Sequence, residues 1–136
     1  MIIAVEILVG PQPTPEVARA AQVLDEACRS RGFPVERLAA PAGIDNRLCL
    51  YLTTPDGGYP VAELLDLGVR RNAFARLDHT QYLVRSWRGQ ARLHVAMAAR
   101  SGEALIEAAR FVADRIAGTR DFSRLDMQGP VLAPGE

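Results

Sequence analysis

Residues 80–98, TQYLVRSWRGQARLHVAMA, decide the fold, because two segments of alternating apolar residues here flank a short turn. The pattern predicts a β-hairpin that turns at Arg88-Gly89 and pairs Trp87 with Gln90. A slip of one residue would exchange the two faces of the hairpin, so the apolar set fixes which face is buried. The predicted core face carries Thr80, Tyr82, Val84, Leu93, Val95 and Met97, and the opposite face carries Gln81, Leu83, Arg85, Trp87, Arg92, His94 and Ala96.

The segments before the hairpin predict a βαβ unit. Ile2–Val9 is an almost continuous apolar run, interrupted by a glutamate, and it is typical of a strand covered on both faces. A helix is predicted between an N-cap at Thr14 and a stop at Gly32. Further strands are predicted over 33–38 and 47–54, and the sequence leaves open which of them pairs with the first strand.

The remaining segments complete the predicted architecture. A short helix is expected over 60–67, residues 70–77 slightly favour a helix, and a last helix runs from a Ser101 N-cap to Gly118. We therefore predict a single α/β sandwich domain over 1–118, with a mixed sheet of about five strands and helices mainly on one face. Residues 119–136 are predicted to form an extended C-terminal tail, because this segment is rich in proline and glycine.

The composition is that of an ordinary globular domain. The chain has 136 residues, 49% of them hydrophobic, and its sixteen acidic residues balance sixteen basic residues, all arginine. Zero net charge argues against a nucleic-acid partner, since binding to phosphate backbones depends on excess positive charge. No stretch reaches the roughly 20 apolar residues of a membrane helix, and no basic region precedes the first apolar run. We therefore expect no membrane partner and a cytoplasmic location.

The cysteines and histidines do not have the spacing of a metal site. Cys28 lies on the apolar stripe of a predicted helix and Cys49 lies within a predicted strand, so both are interpreted as small core residues. A disulfide between them remains open at this point. Asp78 and His79 together with His94 offer ligands that zinc accepts, but their spacing favours separate surface histidines. We expect neither a metal nor a cofactor, because no Walker A or dinucleotide fingerprint is present.

Four short segments suggest a relation to a known module. An aromatic-led strand at Gln81–Val84 is followed by a glycine turn at Arg88-Gly89, by a strand ending in small residues at Leu93–Ala96 and by an alanine-rich helix at Ser101–Phe111. This order resembles the small non-catalytic α/β domain that precedes the barrel in family 20 β-hexosaminidases and related glycosidases. The resemblance covers about residues 14–118 of this chain.

The resemblance implies an accessory or binding domain. The family's acidic catalytic residues lie in the barrel, which this chain is too short to contain, so no catalytic residue is carried over. The chain also departs from the family pattern, because Phe111-Val112 stands where the family usually has an aromatic-glycine pair. Fold alone does not determine function, so the function of this chain depends on the residues of its candidate sites.

The first candidate site is the outer face of the hairpin. In the predicted register Arg85 lies directly opposite Arg92, with Trp87 and His94 nearby. Like charges opposed across strands destabilise a sheet by some tenths of a kcal/mol unless an anion, a carboxylate or a partner offsets them. Trp87 would add an apolar anchor for an interface. We therefore predict a non-enzymatic interaction domain that binds a protein partner or itself, with carbohydrate as a further candidate ligand, although solvated arginines that splay apart would also satisfy the pattern.

The alternative site is a crevice at the ends of parallel strands. If the strands ending at Val9 and Thr53 are parallel, the loops that follow them emerge at the same edge of the sheet, where ligands of open α/β sheets bind. Thr53, Asp56 and Tyr59 would supply polar contacts there. This arrangement would make the protein a small enzyme or a ligand-binding protein, whereas ordinary turn chemistry explains the same residues without a ligand.

Overall fold

A seven-stranded mixed sheet carries two helices in the computed structural model, which describes residues 2–60, 77–89, 91–119 and 131–132. The strands are β1 (Ala4–Leu8), β2 (Val35–Leu38), β3 (Arg47–Thr54), β4 (Gly57–Gly58), β5 (Tyr82–Gly89), β6 (Arg92–Ala99) and β7 (Val131–Leu132), and the helices are α1 (Pro15–Ser30) and α2 (Gly102–Gly118). The helices predicted over 60–67 and 70–77 lie outside the described residues except for Pro60 and Leu77. Of the predicted tail, the described residues are Thr119 and strand β7.

The sheet has the order β2-β1-β3-β6-β5-β7, and β4 pairs with the end of β3. The pairs β1–β2, β1–β3 and β3–β6 are parallel, whereas β5 runs antiparallel to both β6 and β7. The first strand therefore pairs with both of the strands that the sequence left as alternatives. The predicted mixed α/β sheet is confirmed, and the five predicted strands are the five long ones.

Both long helices begin at the predicted N-caps. The hydroxyl of Thr14 accepts a hydrogen bond from the backbone N–H of Val17 at 3.2 Å, and that of Ser101 accepts one from Ala104 at 3.1 Å. Each cap satisfies an amide that the helix itself leaves without a partner. The two helices pack side by side on one face of the sheet and bury the main core against it. That core includes Val5, Ile7, Val17, Leu24, Leu48, Leu50, Val84, Val95, Met97, Leu105, Val112 and Ile116.

The β5–β6 hairpin turns two residues later than the sequence predicts. Trp87 pairs with His94 and Gly89 pairs with Arg92, so the predicted turn at Arg88-Gly89 is wrong. The later turn gives two strands of eight residues each and places Ala91 in the left-handed region, with φ +59°. This register avoids a pair of opposed arginines, Arg85 and Arg92, which would destabilise the sheet.

The change of register preserves the faces and separates the two arginines. Tyr82, Val84, Leu93, Val95 and Met97 lie in the core, as predicted from the alternation, whereas Thr80, predicted on the same face, is exposed before β5 begins. Because every pair shifts by an even number of residues, no side chain changes face. The expected opposition of arginines is also wrong, since Arg85 lies opposite Ala96 and Arg92 lies opposite Gly89.

Candidate functional site

The sheet face opposite the helices carries a row of chemically active side chains. The strand register aligns Glu6 of β1 with Cys49 of β3, Cys49 with His94 of β6, and His94 with Trp87 of β5. Directly paired residues of adjacent strands lie on the same face about 5 Å apart, so the four side chains form a continuous line. We refer to this row and its two neighbours on β3 as the polar face cluster, which comprises Glu6, Arg47, Cys49, Tyr51, Trp87 and His94.

Glu6 is a buried carboxylate with a complete set of partners. Its side chain is 1% exposed, and its Oε2 accepts a hydrogen bond from Nη1 of Arg47 at 2.8 Å. Its Oε1 accepts from the backbone N–H of Ala42 at 3.2 Å and from the Cys49 thiol at 3.9 Å. A buried charge is tolerated only when it is paired and hydrogen-bonded in this way. Glu6 therefore ties β1 to β3 and to the loop that contains Ala42.

His94 is a buried imidazole held at both nitrogens. The Tyr51 hydroxyl lies 2.8 Å from Nδ1, and Nε2 lies 3.4 Å from the carbonyl oxygen of Gly89. The tautomer that satisfies both contacts carries its proton on Nε2, so Tyr51 donates to Nδ1 and Nε2–H donates to Gly89. Burial lowers the pKa of His94 from its ordinary 6.5 against the opposing effect of the Gly89 hydrogen bond, and the charge of Arg92 lowers it further. The imidazole is therefore neutral at neutral pH.

The aromatic rings of the cluster form a stack. The indole of Trp87 lies 5.1 Å from the His94 ring at an interplanar angle of 11°, and 5.9 Å from the Tyr51 ring at 17°. Tyr59 meets Tyr51 edge to face, with 4.9 Å between ring centroids. Such contacts favour a fixed orientation of Trp87, which is half-buried.

Of the residues predicted for the hairpin site, the structure brings Trp87 and His94 into contact and separates the arginines. Arg92 precedes His94 by two residues on the same face of β6, and its charge acts on the His94 ring. Arg85 lies four residues from Gly89, the partner of Arg92, which is about 13 Å along the strand. The face therefore presents a Trp87–His94 pair with one half-buried arginine on each side.

Two of the three residues predicted for the alternative crevice bind each other. Strands β1 and β3 are parallel, so the loops after them do emerge at one edge, as predicted. The Thr53 hydroxyl, however, donates to the carbonyl of Tyr59 at 2.5 Å, and both side chains are buried. Asp56 is exposed on the turn. A Cβ at Gly10 would lie 1.9 Å from the carbonyl oxygen of Gly58, so backbone fills the space between the two loops.

The two histidines are far apart in the structure. His79 is exposed just before β5, and its carbonyl accepts a hydrogen bond from the Ser101 hydroxyl at 2.7 Å. His94 is buried at the other end of the hairpin, near the turn. Within residues 2–60, 77–89 and 91–119, no group of three His, Cys, Asp or Glu side chains could hold a metal ion. None of the described helices is long and apolar enough to cross a membrane.

The two cysteines are free and lie on opposite faces of the sheet. Cys28 belongs to the core under the helices, whereas Cys49 belongs to the core on the other face. Burial raises the pKa of each thiol to about 12, with the carboxylate of Asp25 adding to the effect at Cys28 and that of Glu6 at Cys49. The disulfide that the sequence left open is therefore not formed in this fold.

We expect both thiols to resist alkylation in the native protein. Because the thiolate is the reactive form, a rise in pKa from 9.0 to about 12 lowers its population roughly a thousandfold at pH 8. Mass spectrometry after timed treatment with iodoacetamide checks this, with the same protein unfolded in guanidinium as the control. Native labelling of Cys49 at the rate of the unfolded chain would contradict the burial described here.

The sequence pattern missed four members of the cluster as site residues. Glu6, Arg47, Cys49 and Tyr51 lie in predicted strands, but nothing local marks them as a group. The available signal was the single acidic residue within the apolar run Ile2–Val9, since a charge at such a position calls for a buried partner. The identity of that partner depends on strand order.

Comparisons with known proteins show similarity of fold. No protein-family model and no curated protein sequence matches the chain. Among solved structures, the chain is similar to a GH138 enzyme targeting pectin rhamnogalacturonan II, with a TM-score of 0.57 and 14% identity over 95% of this chain and 11% of that chain. It is also similar to CpGH84D, with a TM-score of 0.61 and 10% identity over 86% of this chain and 18% of that chain. The fold is thus similar to that of a small part of each of these two glycoside hydrolase chains, and the predicted relation to family 20 stays a prediction.

Proposed function

We propose that this protein is a non-catalytic accessory domain associated with carbohydrate processing, and that it acts by binding a protein partner. The observation that carries the proposal is the asymmetry of coverage in the structural comparisons. Nearly all of this chain, 95% and 86%, matches only 11% and 18% of two glycoside hydrolases. A fold that corresponds to such a small fraction of a large enzyme is expected to be one of its component domains. The predicted resemblance to the non-catalytic domain of family 20 enzymes supports the same function.

The chemistry of the polar face cluster also supports a non-catalytic role. The Glu6 carboxylate is engaged by Arg47, and the His94 imidazole is engaged by Tyr51. The Cys49 thiol is fully buried and its pKa is raised, so it is a poor nucleophile. A catalytic acid, base or nucleophile must reach its substrate. These side chains instead bind each other and hold the sheet face in one arrangement.

The proposed contact surface is the part of this face that remains partly accessible. We call Arg85, Trp87 and Arg92 the docking strip, because they lie on one face of the β5–β6 hairpin and are each half-buried. Aromatic and arginine side chains carry much of the binding energy in protein interfaces. Trp87 is also held in place by the rings of Tyr51 and His94, which lowers the entropy lost on binding.

The absence of catalysis is tested with the purified full chain on a panel of 4-nitrophenyl glycosides. We expect release of nitrophenol at the rate of the buffer blank. Turnover that co-purifies with the chain and disappears in a Glu6→Gln or His94→Gln variant would contradict the proposal. Turnover that is indifferent to both substitutions would point to a contaminating glycosidase, and mass spectrometry of the preparation identifies it.

The docking strip is tested with a second copy of the chain as the first partner. We expect Trp87→Ala to weaken self-association measured by sedimentation equilibrium at least about fivefold, because a buried tryptophan anchor is worth more than about 1 kcal/mol. Arg88→Ala is the matched control, since Arg88 is an exposed arginine on the same strand whose side chain points to the other face. Equal effects of the two substitutions on self-association would mean that the docking strip is not the contact surface. Thermal unfolding of both variants checks that the fold is retained.

A further inference from the structure

The proposed function makes no use of the hydrogen-bonded pair beneath Trp87. His94 of β6 makes three contacts with the two neighbouring strands: Tyr51 of β3 donates to its Nδ1, its Nε2–H donates to Gly89 at the end of β5, and its ring stacks on Trp87 of β5. The Tyr51 side chain is fully buried and His94 is 5% exposed. The neutral imidazole thus joins the centre of the sheet to the end of the hairpin that carries the docking strip.

The charges that the described residues place around His94 disfavour a second cation. Arg92 stands two residues away on the same face of β6, and the carboxylate that acts on His94, Glu6 on β1, is already paired with Arg47. The thiol of Cys49 and the hydroxyl of Tyr51, both on β3, are uncharged because burial raises the pKa of each. On β5, Arg85 adds a positive charge on the same face, while Trp87 and Gly89 add none.

We propose that protonation of His94 reverses its hydrogen bond with Tyr51, leaves the buried Tyr51 hydroxyl proton without its acceptor, and by disturbing the ring stack beneath Trp87 makes the docking strip sensitive to acid. Once Nδ1 carries a proton it no longer accepts, and the buried Tyr51 hydroxyl must find another acceptor. The new imidazolium also lies beside Arg92 in a site with little access to water. The use of this response in partner binding rests on the proposed function, whereas the protonation is a property of the chain alone.

The direction in which stability changes with pH follows from the pKa of His94. Burial lowers that pKa below its ordinary 6.5. A neutral imidazole is therefore favoured in the folded protein, and its contribution to stability is complete above about pH 6.5. That contribution is lost as the pH falls below this value towards the pKa of the folded state.

Trp87 is the only tryptophan in the sequence, so intrinsic fluorescence reports the response directly. We expect the full chain to show a reversible transition below about pH 6.5 as the pH is lowered. His94→Gln should lose the transition. His79→Gln is the matched control, because it removes the only other histidine, which is exposed, and should leave the transition unchanged.

Two further variants keep the imidazole and test whether its surroundings lower the pKa of His94. Tyr51→Phe removes the donor that favours the neutral ring, and Arg92→Gln removes the neighbouring positive charge. Each should raise the midpoint by about half a pH unit or more. A wild type without a transition, a transition that persists in His94→Gln, or unmoved midpoints in Tyr51→Phe and Arg92→Gln would overturn the proposal. If His94→Gln fails to fold, the two midpoint shifts decide.

Failure of this proposal can be distinguished from failure of the proposed function. The fluorescence titration is carried out at a concentration where the chain is monomeric, so it needs no partner. A normal titration together with unchanged self-association in Trp87→Ala would leave the His94 response intact and reject the docking strip. Weaker self-association in Trp87→Ala together with no fluorescence transition in the wild type would retain the docking strip and reject its regulation by acid.

Discussion

Gly10→Ala is expected to lower the free energy of unfolding by about 3 kcal/mol or more. Gly10 is buried and has φ +74°, and a Cβ there would lie 1.9 Å from the carbonyl oxygen of Gly58. That oxygen belongs to backbone that is itself held by the hydrogen bond from Tyr59 N–H to the Leu52 carbonyl at 2.7 Å. The clash therefore cannot be relieved by turning a side chain. Chemical denaturation followed by circular dichroism measures the loss.

Gly32→Ala separates the steric clash from the backbone strain. Gly32 also has a left-handed backbone, with φ +84°, but a Cβ there would meet nothing within 4 Å. We expect a loss of only about 1 kcal/mol, the cost of the left-handed conformation for a residue with a side chain. Losses of the same size at Gly10 and Gly32 would show that the contact between the two loops has no energetic weight. The packed edge described for the alternative crevice would then be wrong.

The fold was largely predictable because its signals are local. The caps at Thr14 and Ser101 lie within three residues of the amides that they satisfy. The alternation in β5 and β6 fixed the faces, since a period of two residues assigns every side chain to one side. It could not fix the register, because registers that differ by an even shift bury the same faces. Arg88-Gly89 is the better turn by local chemistry, but the later turn avoids placing Arg85 opposite Arg92.

The polar face cluster was less predictable because its contacts cross the sheet. Tyr51 and His94 are 43 residues apart, and Glu6 and Arg47 are 41 apart. Each pair meets only because β3 lies between β1 and β6, and the sequence left the position of β1 open. Trp87 and His94 could be assigned to one face from alternation alone. Their direct contact needed the correct register.

Glu6→Ala is expected to lower the free energy of unfolding by about 3 kcal/mol or more, because it breaks a buried ion pair from one side. Arg47, only 13% exposed, would lose its closest carboxylate, and the N–H of Ala42 would lose its acceptor. The negative charge of Glu6 also raises the pKa of Cys49. Its removal should therefore speed alkylation of that thiol relative to Cys28. Denaturation in guanidinium and the ratio of labelling rates at the two cysteines measure the two effects.

Glu36→Ala is the matched control for burial, because both glutamates approach the same nitrogen of Arg47. The Glu36 side chain is 57% exposed and its carboxylate lies 3.6 Å from that nitrogen, so its loss should cost no more than about 0.5 kcal/mol. Pairing Glu6→Ala with Arg47→Met should be less destabilising than the sum of the single changes, since the apolar side chain removes the unpaired charge. Equal small losses at Glu6 and Glu36, or strict additivity in the double variant, would mean that Glu6 is solvated. A solvated Glu6 would remove the buried pair that holds the polar face cluster together.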